Sequence, residues 1–262
     1  MINVFSVAGK QGGTVSRDSG AGKAGVFTGP YSPLTQALAL LPLVVFYEAA
    51  IPFTTLRSGW YHRIDAWSQA ALAEIGLTAY YLPGVLILAV LVAIHLWRRE
   101  AWNARAADLW RLWGESLLWA VPLLVLYLLF TLPVHRFLAA ALDIFPRGPT
   151  DLFSNLVLAI GAGLFEEFLF RLVLLSLFLF LLQKLFRVPL SAAQIVSVCV
   201  VAAVFAAAHH LGPGPWTYNP VAFLFRVAAG IYLGSVFIVR GFATAAIVHA
   251  TFNVLYAVIA ML

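Results

Sequence analysis

Charge is the scarcest property of this sequence. Only 10% of its 262 residues are Asp, Glu, Lys or Arg, whereas 63% are hydrophobic and the mean hydropathy is +0.94. This composition excludes an ordinary soluble domain, in which about 25% of residues are charged. We therefore expect a multi-pass membrane protein. The net charge of +5 then reflects where Lys and Arg lie in loops, so nucleic acid is not an expected partner.

Cysteine is almost absent, since Cys199 is the only one in the chain. A single cysteine cannot form a disulfide framework or a thiolate metal site within one chain. Because Cys199 lies in an apolar run, we expect it to be a small buried hydrophobic residue. Residues 1–33 have no apolar stretch of the kind found in a cleavable signal peptide, and their Gly, Ser, Thr and Lys content predicts a flexible polar tail.

Apolar stretches dominate the rest of the chain, and each is close to the 20 or so residues that cross a bilayer. They cover residues 34–53, 79–97, 116–133, 152–186, 191–209, 220–239 and 241–262. The fold class predicted is an all-α polytopic transmembrane bundle with about seven or eight membrane segments. We divide it into N-terminal membrane helices over residues 34–150 and a membrane core over residues 151–262.

The stretch 152–186 is too long for one upright span, so it is either one tilted or projecting helix or two segments broken near its acidic residues. If this stretch is one membrane span, the basic residues around the spans fall on one side of the membrane, as the positive-inside rule favours. One long helix is therefore the preferred interpretation. Thr150 or Asp151 is expected to cap this helix, and residues 191–194 are expected to form a capping box for the next one.

Tryptophans and arginines alternate between the second and third spans, a pattern typical of an interfacial segment. The tryptophans are Trp97, Trp102, Trp110 and Trp113. We expect this segment to include a helix that lies in the headgroup region and anchors the protein. Residues 64–77 could be a second interfacial or re-entrant piece.

Three charges within six residues stand out in the apolar core. Glu166, Glu167 and Arg171 lie in the stretch 152–186, where burying one charge costs about 2.5–3.5 kcal/mol at a helix centre. Residues four apart share a helix face, so Glu167 and Arg171 are predicted to form an ion pair that leaves Glu166 without that partner. A carboxylate in an apolar site holds its proton more readily, which suits proton transfer. A purely structural role is the alternative.

Two histidines are also candidates for chemistry. His209 follows Phe205 by four residues, and His249 precedes Asn253 by four, so each pair shares a helix face. His249 and Asn253 could together donate hydrogen bonds to one oxygen. The alternative is that each histidine bonds a backbone carbonyl of a neighbouring helix. His210 is expected to be interfacial, although it could substitute for its neighbour.

Other polar residues carry weaker signals. His62, His95 and His135 lie at span ends or in loops, where exposure of the ring explains them. Glu48 stands alone in the first span, where it could support the site or line a polar cavity. Glycines and alanines around the acidic cluster, including Gly161 and Gly163, are expected to let helix backbones pack closely.

The candidate residues form three motifs in order: Glu166-Glu167-x-x-x-Arg171, Phe205-x-x-x-His209 and His249-x-x-x-Asn253. This set resembles the signature of the CAAX protease and bacteriocin-processing family of intramembrane endopeptidases, whose motifs lie on separate membrane helices. The resemblance covers roughly residues 152–262. The first 150 residues match the family only in being hydrophobic.

The resemblance implies a protease without a metal cofactor. Glu166 and His209 would activate a water molecule, while His249 and Asn253 would stabilise the oxyanion. The other motif residues, which would support the site, are Glu167, Arg171 and Phe205. The implied substrate is a membrane-associated protein or peptide, with or without a lipid modification. The implied location is the membrane, and the plasma (inner) membrane if the source is bacterial.

Three other kinds of function remain open. Two histidines and a glutamate can form an open zinc site, but the motif His-Glu-x-x-His is absent, and Asn253 and Arg171 have no natural place among zinc ligands. A transporter or proton-relay protein could also place acids and histidines at mid-membrane. A non-enzymatic immunity protein with an inactive site is a further alternative.

Overall fold

The structure is a computed structural model that describes residues 29–58, 82–137, 151–209 and 219–259. Most of the predicted polar tail, the piece at 64–77, His62 and His210 lie outside the described residues.

Helices make up nearly all of the described chain, which contains no strand. In chain order they are α1 (Pro33–Ser58), α2 (Leu82–Arg98), α3 (Ala106–Phe137), α4 (Leu152–Leu185), α5 (Leu190–Ala208), α6 (Pro220–Arg240) and α7 (Phe242–Ile259). Six of them are long and apolar enough to cross a membrane, and α2 is a shorter apolar helix. The predicted helical membrane bundle is therefore confirmed.

Helix α4 is one continuous helix of 34 residues, as preferred above. Asp151 caps it, because one carboxylate oxygen accepts a hydrogen bond from the Ser154 amide at 2.8 Å. At 1.5 Å per residue it is about 51 Å long, well beyond the roughly 30 Å of the hydrocarbon layer. It contains π-helical turns at Phe168–Leu175 and Leu181–Leu185. Such turns are frequent at functional sites, and the first begins directly after Glu167.

Consecutive helices alternate in direction. At one side of the bundle, the ends of α1, α3, α6 and α7 meet and contact one another. The Gln36 side chain accepts a hydrogen bond from the Ala243 amide at 3.1 Å and donates one to the Tyr31 carbonyl at 3.0 Å. Arg240 lies 3.8 Å from the Glu115 carboxylate. Burial, helped by that carboxylate, raises the pKa of Tyr31 to about 12.

This side of the bundle, here called the basic end, also carries most of the described basic residues. They are Arg98, Arg99, Arg105, Arg111, Lys184, Arg187 and Arg240. The positive-inside rule predicts that the basic end faces the cytoplasm. Helix α4 begins at the opposite end, where α5 terminates at Ala208.

Four sequence-based expectations about local structure are wrong. His95, whose ring was expected to be exposed, is fully buried and lies edge-on to Trp102. The predicted capping box fails because α5 already begins at Leu190 after Pro189, which provides no side-chain cap. Cys199 is exposed on the surface of α5 rather than buried. The predicted interfacial helix is also wrong, because α3 is continuous from Ala106 and only a short link precedes it. The exposed tryptophans lie at the end of α2, in this link and in α3.

Glu48 has a clear local role at the start of α2. Its carboxylate accepts a hydrogen bond from the Gly84 amide at 2.9 Å. Amides in the first turn of a helix have no partner within the helix, and leaving them unbonded in lipid costs several kcal/mol. A negative charge also suits the positive end of the helix dipole. Glu48 therefore caps a neighbouring helix inside the bundle.

Candidate active site

Helix α4 carries a fully buried ion pair. The Arg171 guanidinium lies 3.0 Å from one oxygen of the Glu167 carboxylate, and the two side chains are 1% and 0% exposed. The residues are four apart, so consecutive turns bring them together, as the sequence predicts. The pair neutralises two charges that would each be costly to bury alone.

Arg171 is also held from two other helices. Its guanidinium donates a long hydrogen bond of 3.4 Å to the Gly230 carbonyl on α6. It lies over the Phe205 ring of α5, 4.6 Å from the ring centroid, in a cation–π contact. Arg171 therefore ties α4, α5 and α6 together directly beneath the candidate catalytic residues.

Glu167 connects the ion pair to His249 on α7. The same carboxylate oxygen that faces Arg171 lies 2.8 Å from Nδ1 of His249. Because a carboxylate can only accept, Nδ1 carries the proton and donates it in this hydrogen bond. Nε2 of a neutral His249 is then an acceptor. The contact needs a close helix approach, since a Cβ on Gly163 would lie 2.5 Å from the Ala250 amide nitrogen.

His209 is oriented in a similar way at the end of α5. Its Nδ1 lies 2.8 Å from the Phe205 carbonyl oxygen of the preceding turn, so Nδ1 again donates and Nε2 faces away. This bond stays within α5, whereas the alternative interpretation of the sequence expected a carbonyl of a neighbouring helix. The Phe205 ring packs edge-on against both histidines, with centroid distances of 4.6 Å to His209 and 6.3 Å to His249.

The remaining nitrogen of each imidazole, Nε2, faces the Glu166 carboxylate. One of its oxygens lies 3.6 Å from Nε2 of His209, and the other lies 3.9 Å from Nε2 of His249. These distances exceed hydrogen-bond length, so the two imidazoles face Glu166 without bonding it directly through these atoms. The side chains of Glu166 and His249 are 8% exposed and that of His209 is 27% exposed. The site is thus secluded but reachable.

Asn253 lies one turn beyond His249 on α7, toward the opposite end from the basic end. It is partly exposed, and its amide makes no hydrogen bond with the part of the chain that the structure describes. The structure thus brings six of the seven motif residues into direct contact with one another. The seventh, Asn253, takes no part in these contacts.

Metal-ion chemistry has no ready-made ligand set in the described residues. Within these ranges, no three His, Cys, Asp or Glu side chains are arranged to hold an ion. Nδ1 of His249 already bonds Glu167, and Nδ1 of His209 already bonds the Phe205 carbonyl, so neither Nδ1 atom is available to a metal ion. Chelator sensitivity of peptide cleavage distinguishes a zinc protease from a metal-independent one.

Sequence analysis missed one buried charge near this site. Arg226, on α6, is 8% exposed although it lies within a membrane-spanning helix. The available signal was a single arginine in the otherwise apolar stretch 220–239. Ionisable residues at such positions are usually functional.

The fold and site define a helical integral membrane protein with an acid–histidine centre enclosed by four helices. Residues 148–255 match the family model described as Type II CAAX prenyl endopeptidase Rce1-like. This segment contains all three motifs, so the resemblance to the CAAX protease and bacteriocin-processing family is confirmed there, and the match supports an intramembrane protease. No curated protein and no solved structure matches the chain.

Proposed function

We propose that this protein is an intramembrane endopeptidase that hydrolyses a peptide bond in a membrane-associated protein or peptide. The convergence of two imidazole Nε2 atoms on the Glu166 carboxylate carries this proposal. The substrate class is a CAAX-type C-terminus or a sorting or leader segment. The family description supports the first of these because it names prenyl endopeptidases.

Glu166 and His209 activate the attacking water in this proposal. A water between the Glu166 carboxylate and Nε2 of His209 would have two acceptors for its protons, which favours removal of one as its oxygen attacks the peptide carbonyl. Glu166 holds that proton and returns it to the leaving amine. The low exposure of the site limits competing solvent and strengthens these electrostatic contacts.

His249 and Asn253 supply donors to the oxyanion. His249 can donate from Nε2 only when both ring nitrogens carry protons, and the Glu167 carboxylate on Nδ1 stabilises that cation. The charges of Glu166, Glu167, Arg171 and a protonated His249 then sum to zero, which suits a dry site. Each well-placed donor to an oxyanion is worth about 3–4 kcal/mol in other proteases.

The test is cleavage of a diverse quenched peptide library by purified protein in detergent or lipid. Wild type is compared with Glu166→Gln, which keeps the size of the side chain but cannot accept a proton. Glu48→Gln is the matched control, because it changes another membrane carboxylate that caps α2. Each protein is assayed with and without a strong zinc chelator.

We expect wild type and Glu48→Gln to cleave equally, with or without chelator, and Glu166→Gln to lose about 10²–10⁴-fold in rate. Loss of wild-type cleavage with chelator, restored by zinc, would instead indicate a zinc protease. Cleavage by Glu166→Gln at the wild-type rate would rule out Glu166 as the base. Absence of cleavage by every protein, including on lipidated peptides, would favour a transporter or immunity role.

A further inference from the structure

One face of α6 packs against α5 with a regular register of residue pairs. A Cβ on Gly234 would lie 3.2 Å from Val198, and a Cβ on Gly230 would lie 2.9 Å from Cβ of Ala202. The two helices are antiparallel, so each step of four residues along α6 matches a step of four back along α5. The next step outward from the basic end pairs Arg226 with Ala206.

The same face of α6 also follows α4, which runs in the same direction. A Cβ on Gly234 would lie 3.4 Å from Leu175, and the Gly230 carbonyl accepts a hydrogen bond from Arg171 at 3.4 Å. One turn further, this register places Arg226 at the depth of Glu167. Arg226 therefore lies where α4, α5 and α6 meet, at the depth of the acidic pair.

The direction of the side chain brings it toward the substrate side of the site. In a helix, side chains lean toward the N-terminus, and the N-terminus of α6 lies at the opposite end from the basic end. The side chain of His209, at the end of α5, leans the other way and reaches down to the Phe205 carbonyl. This lean predicts that the Arg226 side chain is directed to the rim of the site rather than to its floor.

We propose that Arg226 binds a carboxylate of the substrate and so positions the scissile bond over Glu166. This inference rests on the proposed function, and it assigns a specificity-determining residue that the three motifs do not include. A guanidinium presents a planar fork of donors that fits a carboxylate in two parallel hydrogen bonds. The carboxylate is either the C-terminus of the substrate or an acidic side chain near the cleaved bond. Arg226 already interacts with other groups in the structure, and in this proposal the substrate carboxylate joins or replaces them.

The experiment compares two quenched peptide libraries that differ only in ending as a free carboxylate or as a carboxamide. Each library is divided into pools with and without Asp and Glu. Wild type, Arg226→Gln and Arg226→Lys are assayed on all pools. Gly114→Ala, at a site with no atoms near its added Cβ, is the control for a substitution in a membrane helix.

We expect wild type and Gly114→Ala to cleave the free-acid pools about 10- to 100-fold faster than the matching amides. Arg226→Gln should cleave both at the slow amide rate, with the loss in KM, and Arg226→Lys should recover part of the difference. If acidic side chains are recognised instead, the difference follows the Asp- and Glu-containing pools. Equal wild-type rates on every pool, or an unchanged acid preference in Arg226→Gln, would overturn the inference and leave the hydrolytic proposal intact.

A binding measurement tests the inference without turnover. Pools of N-acetylated hydrophobic tripeptides, as free acids or amides, are added to Glu166→Gln protein and to its Arg226→Gln double variant. We expect the free acids to raise the thermal midpoint of Glu166→Gln more than the amides, with no such difference in the double variant. Equal shifts with acids and amides in Glu166→Gln would contradict the assignment even if no peptide is cleaved.

Discussion

Glu167 is expected to serve both stability and catalysis, and one substitution separates the two. In Glu167→Gln the carboxylate that faces Arg171 at 3.0 Å becomes a neutral amide. Arg171, only 1% exposed, keeps its charge. A buried charge that loses its partner costs about 3–5 kcal/mol. The Gly230 carbonyl and the Phe205 ring still contact the guanidinium, so we expect the low end of this range, about 3 kcal/mol.

The stability assay is thermal unfolding of purified protein, followed by tryptophan fluorescence. A loss of about 3 kcal/mol corresponds to a midpoint lowered by about 6–12 °C for a chain of this size. The double variant Glu167→Gln/Arg171→Met removes both charges and replaces the guanidinium with an apolar chain. Because no unpaired charge remains, we expect it to regain most of the lost stability.

Activity should not recover with stability. Without the Glu167 carboxylate, a Gln oxygen can still accept the Nδ1 proton of His249, but it does not stabilise the imidazolium. We therefore expect both variants to cleave peptides about 10²–10⁴-fold more slowly than wild type. A double variant with full activity would show that Glu167 serves stability alone. A Glu167→Gln protein with the wild-type midpoint would refute the ion pair as described.

Three further substitutions test the helix contacts. Gly163→Ala should destabilise the protein by about 1–3 kcal/mol or more and reduce cleavage, because its Cβ would lie 2.5 Å from the Ala250 amide nitrogen and push α7 away. Gly114→Ala should stabilise the protein by up to about 1 kcal/mol. If thermal unfolding shows the midpoints of Gly163→Ala and Gly114→Ala shifted in the same direction, the argument from helix contacts is wrong. Glu48→Ala should lower stability by about 1–3 kcal/mol, because the buried Gly84 amide loses its acceptor, with kcat unchanged. A fall in kcat would give Glu48 a role in the site.

Features that depend on neighbouring residues in sequence were predictable. Long apolar stretches and the distribution of basic residues indicated the helical bundle and the single helix α4. The pairing of Glu167 with Arg171 followed from their spacing of four. The Asp151 cap was also readable from sequence. In each case the interacting atoms lie within one or two helical turns, so the local helix geometry decides the contact.

Contacts between distant helices were not predictable. The bond of Glu167 to His249 joins residues 82 apart, and that of Glu48 to Gly84 joins residues 36 apart. Both depend on the register between packed helices. A rule based on residue spacing within one helix gives no information about that register. Cys199 was misjudged for a related reason. In a membrane protein an apolar run has a lipid-facing side, so its hydrophobicity does not indicate burial within the bundle.

Burial in the site increases from its rim to its floor, and this gradient matches the chemistry required at each level. Arg171 and Glu167, at most 1% exposed, form the floor, where low dielectric makes their attraction strong and their positions rigid. Toward the opposite end from the basic end, Glu166 is 8% exposed and His209 is 27% exposed. Proton transfer needs an entry for water and substrate, whereas a buried ion pair requires their exclusion. A long α4 beside a shorter α5 meets both needs, because α4 continues past the level at which α5 ends in His209.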